Sequence, residues 1–242
     1  MVVAVSHESA VAQSAPRIRE GVIPAHRTEY MGAHPHRGGA SLPQAFTIEM
    51  HPLQEVGAHY HRVPQYQVFL SGNGRIGRHP TRPYAIHYSD PYTGYGPLVA
   101  AEQPMVYMTL RPLGDPGPTY MTQPGAREQM RPSRRRFLLA TAEAATIPAA
   151  GESRVESLID RHDDGVEAGV YRLGAGATIT GPDPTLGGGH YFLVLTGTLQ
   201  HAGAAYGPRS TVFVEAGEDP LTLLAGPAGV ELLFLQFPRV EG

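Results

Sequence analysis

Cysteine is absent from all 242 residues. That removes a disulfide framework and every thiolate metal site, leaving histidine, carboxylate and amide oxygen as the available ligands. No long block of one charge occurs outside Arg134-Arg135-Arg136, and the formal net charge is −3. The chain therefore lacks the basic footprint of a nucleic-acid-binding protein and has no patch suited to a membrane surface. No apolar run approaches the roughly 18 residues of a spanning helix. The opening MVVAVSHESAVAQSAPRIREG has no basic stretch leading into an apolar core, so no signal peptide is expected and the cytoplasm is the default location. Ser133 to Leu139 imitates a twin-arginine export signal, but such signals stand at the N-terminus. In mid-chain it reads as a basic-edged strand entering a second lobe. Convincing amphipathic helices are also missing, as is a helix-turn-helix segment.

What is present fits an all-β protein. The hydrophobic fraction of 41% supplies a sizeable core for one large domain or two lobes. Gly (29) and Pro (23) are scattered along the chain, as many short strands joined by turns require. Strand-like runs cover Ala45 to Met50, Tyr66 to Leu70, Met105 to Leu110, Tyr191 to Leu195, Ser210 to Val214 and Glu231 to Phe237. The pattern occurs twice: QYQVFLSGNGRIG is echoed by HYFLVLTGTLQHAG, and YMTLRP by FLQFPR. The expected division is an N-terminal arm (1–39), a first lobe (40–115), a linker (116–134) and a second lobe (135–242). Runs such as Leu232 to Leu235 are apolar on both faces, so the sheets must be covered on both sides.

The chemistry concentrates in GAHYHRVPQYQVFLSG, residues 57–72. Side chains alternate along a strand, so His59 and His61 share a face with Tyr60 opposite. If Gln65 opens the next strand, Gln65, Gln67 and Phe69 share one face, and two imidazoles and two amides meet. Imidazole suits Fe, Ni, Zn or Cu, and an amide oxygen is a weaker, neutral ligand.

His59-x-His61, three residues, Gln65, six residues, Gly72 resembles the first motif of the cupin superfamily, with Gln65 in place of the family's glutamate and the leading glycine displaced to Gly57. The resemblance implies two jelly-roll β-barrel lobes and a divalent metal ion (Fe, Ni, Zn or Mn) held by His59, His61 and Gln65. The family's second motif supplies one more histidine. Ser89 to Ala100 keeps turn glycines and prolines but has no histidine, so the ligand falls to His87 or His79, and the β-forming neighbours of His87 favour it. Losing the carboxylate would leave the ion more electrophilic and less tightly bound, and Gln65→Glu would tighten it. A metal-free pocket of hydrogen-bonding histidines is the alternative. Gly32-Ala33-His34-Pro35-His36-Arg37 repeats the histidine pair, but Pro35 interrupts a ladder, so it reads as a loop. In the second half His190 stands where the motif's glutamate would be, and Pro184 and Leu186 where its histidines would be. That lobe reads as structural, with Asp183 and His190 a small polar site at most.

The implied function is a metal-dependent cupin enzyme acting on a small organic molecule. With Fe or Ni the resemblance points to a dioxygenase, and with Zn or Mn to a Lewis-acid isomerase, cyclase or lyase. A non-enzymatic small-molecule-binding module is the other class. Acid–base candidates are Tyr95, Glu49 and Tyr88, while Arg62 and Arg111 could orient an anionic substrate. A homodimer is the expected assembly.

Overall fold

The computed structural model describes residues 1–14, 26–32, 36, 38, 41–133 and 138–239. His34 of the second histidine pair and Arg134-Arg135-Arg136 lie outside these residues. Among the described residues no helix is long and apolar enough to cross a membrane. The chain divides into two compact units, Gln13–Thr141 and Met1–Ala12 with Ala142–Gly242.

In the first unit a six-stranded antiparallel sheet runs in the order Leu138–Thr141, Ala85–Ser89, Gln65–Ser71, Met105–Arg111, Gln44–Met50, His26–Met31. A four-stranded sheet orders Glu55–Val56, Leu98–Ala100, Gly74–Ile76 and His79–Thr81, and His59–Tyr60 pairs with Thr119–Tyr120. Gly72 closes the central strand at φ 74°, where a Cβ would stand 2.1 Å from the Pro104 carbonyl oxygen. No other residue fits that turn.

The register sorts the interior into layers. Met50 pairs with Met105; Ile48 with Tyr107 and Tyr107 with Phe69; Phe46 with Thr109, Thr109 with Gln67 and Gln67 with His87; Gln44 with Arg111, and Gln65 with Ser89. Alternation turns these residues inward, so the barrel is apolar at one end and polar at the other. The apolar end gathers Met50, Phe69, Ile76, Leu98 and Met105.

The second unit is an eight-stranded sheet built around His190–His201 and Thr222–Gln236, flanked by Glu167–Leu173, Ser153–Ile159 and Thr211–Val214. Its interior is apolar: Phe192, Val194, Leu199, Val212, Val214, Leu223, Leu232 and Phe234 form one buried cluster.

The expected boundaries need correction. Val2–Val5 is no free arm but pairs with Thr211–Val214 in the second unit, and a short helix, His7–Gln13, follows it. His26–Met31 and Leu138–Thr141 are the edge strands of the first unit's sheet. Within the expected linker, Thr119–Tyr120 is hydrogen-bonded to the histidine strand, and the Arg131 N–H donates to the Tyr92 carbonyl. An apolar alternation marks a segment as a strand but does not say which open edge it covers.

Candidate functional site

The polar end of the first barrel holds a continuous network. His59 and His61 are buried, their ring centroids 5.2 Å apart and near-perpendicular. The His59 backbone exchanges two hydrogen bonds with Tyr95, whose ring lies 4.6 Å from His59, 5.0 Å from His87 and 6.5 Å from His61. Tyr95 is held there by Gly96, whose positive φ and close approach to Ala58 turn the chain. The Tyr95 phenol therefore stands among all three imidazoles.

The hydrogen bonds fix the tautomers. His59 Nδ1 donates to the Gly57 carbonyl at 2.7 Å, and His61 Nδ1 donates to Asp115 Oδ1 at 2.7 Å. Both acceptors lack protons, so both rings carry the lone pair on Nε2. His87 Nδ1 lies 3.1 Å from Gln67 Oε1 and takes the same tautomer with that amide orientation. The Tyr95 hydroxyl sits 2.8 Å from His59 Nε2 and donates to it, while its oxygen accepts from Gln65 Nε2 at 2.5 Å.

Gln65 does not face the histidines with its oxygen. Arg111 donates to Gln65 Oε1 from Nε at 3.0 Å and from Nη2 at 2.9 Å, and from Nη1 to Gln44 Oε1 at 3.0 Å. Arg111 Nη2 is also 3.1 and 3.2 Å from the two ring nitrogens of His61. Near-equal distances place the cation against the ring face and not along one lone pair. The Asp115 carboxylate lies 3.6 Å from Arg111 and accepts from the Arg62 and Gly117 N–H groups. Arg111 and Asp115 are both buried, so each charge depends on the other and on these bonds.

Electrostatics keep the imidazoles neutral. Burial pushes His59 down to about 4 and His87 to about 3; burial and then the Arg111 charge push His61 to about 3, against the opposing pull of Asp115. Burial alone would raise Asp115, but the His61 bond and the Arg111 charge prevail and hold it at about 2. Burial drives the Tyr95 phenol well above its ordinary value.

The structure thus brings His59, His61, Gln65, His87 and Tyr95 together. Glu49 is exposed, on the face of its strand opposite Ile48 and Met50, and is no part of the site. Tyr88 also faces away, packing on Tyr66 and donating to Asp90. His79 sits on the small hairpin opposite Ile76. Gln65 is corrected from ligand to partner of Arg111. Asp115 was missed by sequence reading, because nothing local links it to a histidine 54 positions away. His87 lies on the strand Ala85–Ser89, as its β-forming neighbours imply, and pairs across the sheet with Gln67. His36 joins the Asp115 loop through its backbone N–H.

Among the described residues, no three histidine or carboxylate side chains are arranged to hold an ion as they stand. The donor chemistry still suits one, because neutral imidazoles anchored through Nδ1 are how metal-binding histidines are oriented. In the second unit, His190 is buried between Phe192 and Phe234, 5.1 Å from each ring, and pushed by burial to about 4. Gln236 and the Asp183 charge pull it the other way.

No family model and no curated protein matches the chain. Solved structures do. A Nostoc punctiforme protein provisionally assigned as a dioxygenase aligns over 99% of this chain and 79% of its own, with TM-score 0.61 and 10% identity. Escherichia coli pirin YhhW, in complex with nickel(II), aligns over 99% and 100% with TM-score 0.57 and 10% identity. Bacillus subtilis oxalate decarboxylase, whose structure concerns its Mn(II) centres, aligns over 100% and 78% with TM-score 0.58 and 9% identity. At these identities the likeness is one of fold: the chain has the all-β cupin fold, as two jelly-roll lobes.

Proposed function

We propose that the first lobe is the working lobe of a metal-dependent cupin enzyme acting on a small organic molecule, with His59, His61 and His87 as the ligands. One observation carries this reading: in each of the three histidines Nδ1 is engaged by a carbonyl, carboxylate or amide oxygen, which directs Nε2 as ligand. A bound Fe or Ni would supply dioxygenase chemistry, and Zn or Mn Lewis-acid chemistry for an isomerase or lyase. The nickel of pirin, the manganese of oxalate decarboxylase and the provisional dioxygenase support the class. Asp115 and Gly57 hold the imidazoles in register, Arg111 keeps Gln65 turned from the centre, and the Tyr95 hydroxyl stays protonated, so that with His59 Nε2 engaged by an ion it would be free to donate a hydrogen bond to the bound molecule. The apolar layers beneath exclude water.

Elemental analysis of untagged protein tests the proposal. One divalent ion per chain is expected, lost from a His59→Ala/His61→Ala/His87→Ala variant whose circular dichroism is unchanged. A second reading, a metal-free small-molecule pocket, is favoured by the Tyr95 bond to His59 Nε2 and by Arg111 on the Gln65 oxygen. Metal-free wild-type protein that resists loading would establish it.

A further inference from the structure

The pair of strands His59–Tyr60 and Thr119–Tyr120 has two faces. Tyr120 stands opposite His59 with rings 5.5 Å apart, on the barrel side. Thr119 stands opposite Tyr60, and alternation turns both away from the histidines. Against Thr119 and Arg62 lies an open cleft of about 500 Å³, whose wall also holds Gly117, Gln123 and several prolines. The volume is in the range of small-molecule sites.

The lining has one sign. No aspartate or glutamate side chain lines the cleft, and among the described residues Arg62 is hydrogen-bonded only through its backbone N–H. Gln123 Oε1 accepts from the Tyr120 N–H, so its amide donors remain to serve the cleft. The prolines stiffen the wall and add no donor of their own. A guanidinium, an amide and a hydroxyl on a rigid wall match a planar or tetrahedral anion. The Asp115 charge behind the wall is already satisfied by His61, Arg111 and two N–H groups.

We propose that this cleft is a second binding site for a small anion bearing a carboxylate or a phosphate, held by Arg62 with Gln123 and Thr119. The backbone N–H groups of two cleft residues, Arg62 and Gly117, hold the carboxylate that orients His61.

The test is thermal unfolding of the full chain in chelator, so that the result does not depend on metal. Inorganic phosphate, malonate and neutral acetamide are titrated at constant ionic strength. A saturable rise in midpoint of roughly a few degrees is expected with phosphate, malonate or both, and none with acetamide. The arm that responds names the anion class. The rise should vanish in Arg62→Gln and persist in Arg154→Gln, an exposed arginine of the second unit. No saturable rise, or an equal one in Arg62→Gln, overturns the proposal and leaves the metal reading of the barrel untouched.

Discussion

Gln65 shows how one residue's role depends on its neighbour. As a ligand it would profit from a carboxylate, and Gln65→Glu would tighten metal binding. In the structure its oxygen accepts two bonds from Arg111 and its nitrogen donates to Tyr95, a division of labour that an amide performs and a carboxylate cannot. Glu at this position would pair with Arg111 and leave the Tyr95 oxygen without its donor. Metal affinity of Gln65→Glu, measured by titrating apo protein with Zn(II), should therefore stay within about threefold of wild type, a free-energy difference below about 1 kcal/mol. A tenfold gain would show that residue 65 turns to the metal after all.

Among the elements, Val2–Val5 covers an edge of the second unit's sheet. It caps the strand Thr211–Val214, where Val212 and Val214 are fully buried. Without it, that strand becomes an exposed, flat, hydrophobic edge. Deleting residues 1–5 should lower the thermal midpoint and cause concentration-dependent association on size-exclusion chromatography. A monodisperse variant with an unchanged midpoint would mean that the strand adds nothing to the sheet. Thr119–Tyr120 plays the corresponding part on the histidine strand, covering an edge that would otherwise open beside His59.

For the whole molecule, the buried histidines set the response to acid. His59, His61, His87 and His190 have folded-state values of about 3 to 4 against an ordinary 6.5. The unfolded chain binds more protons below 6.5, so this stability is complete above that pH and is lost as pH falls toward 4. Each histidine contributes a slope approaching about 1.4 kcal/mol per pH unit in that window. Asp115 acts in the same direction lower down, between 3.8 and about 2. Urea unfolding at pH 7.5, 6 and 5 should show stability falling steeply. A flat profile would mean the imidazoles reach solvent and protonate without unfolding.

The sequence by itself determined that the chain is all-β, that it repeats, and that His59 and His61 share a face, because turn residues and two-residue alternation are local properties of the backbone. It also marked His87 and Tyr95. Which strand covers which edge was decided only by tertiary structure, since every open edge offers the same hydrogen bonds and pairing depends on what else is nearby. Asp115 entered the site for the same reason: its loop is brought beside the histidine strand, so the carboxylate meets His61 from 54 positions away, and no spacing along the chain encodes that approach. The contact between Arg111 and Gln65 likewise exists only once two strands stand in register. It fixes which atom of the glutamine faces the centre, which a residue's identity cannot do.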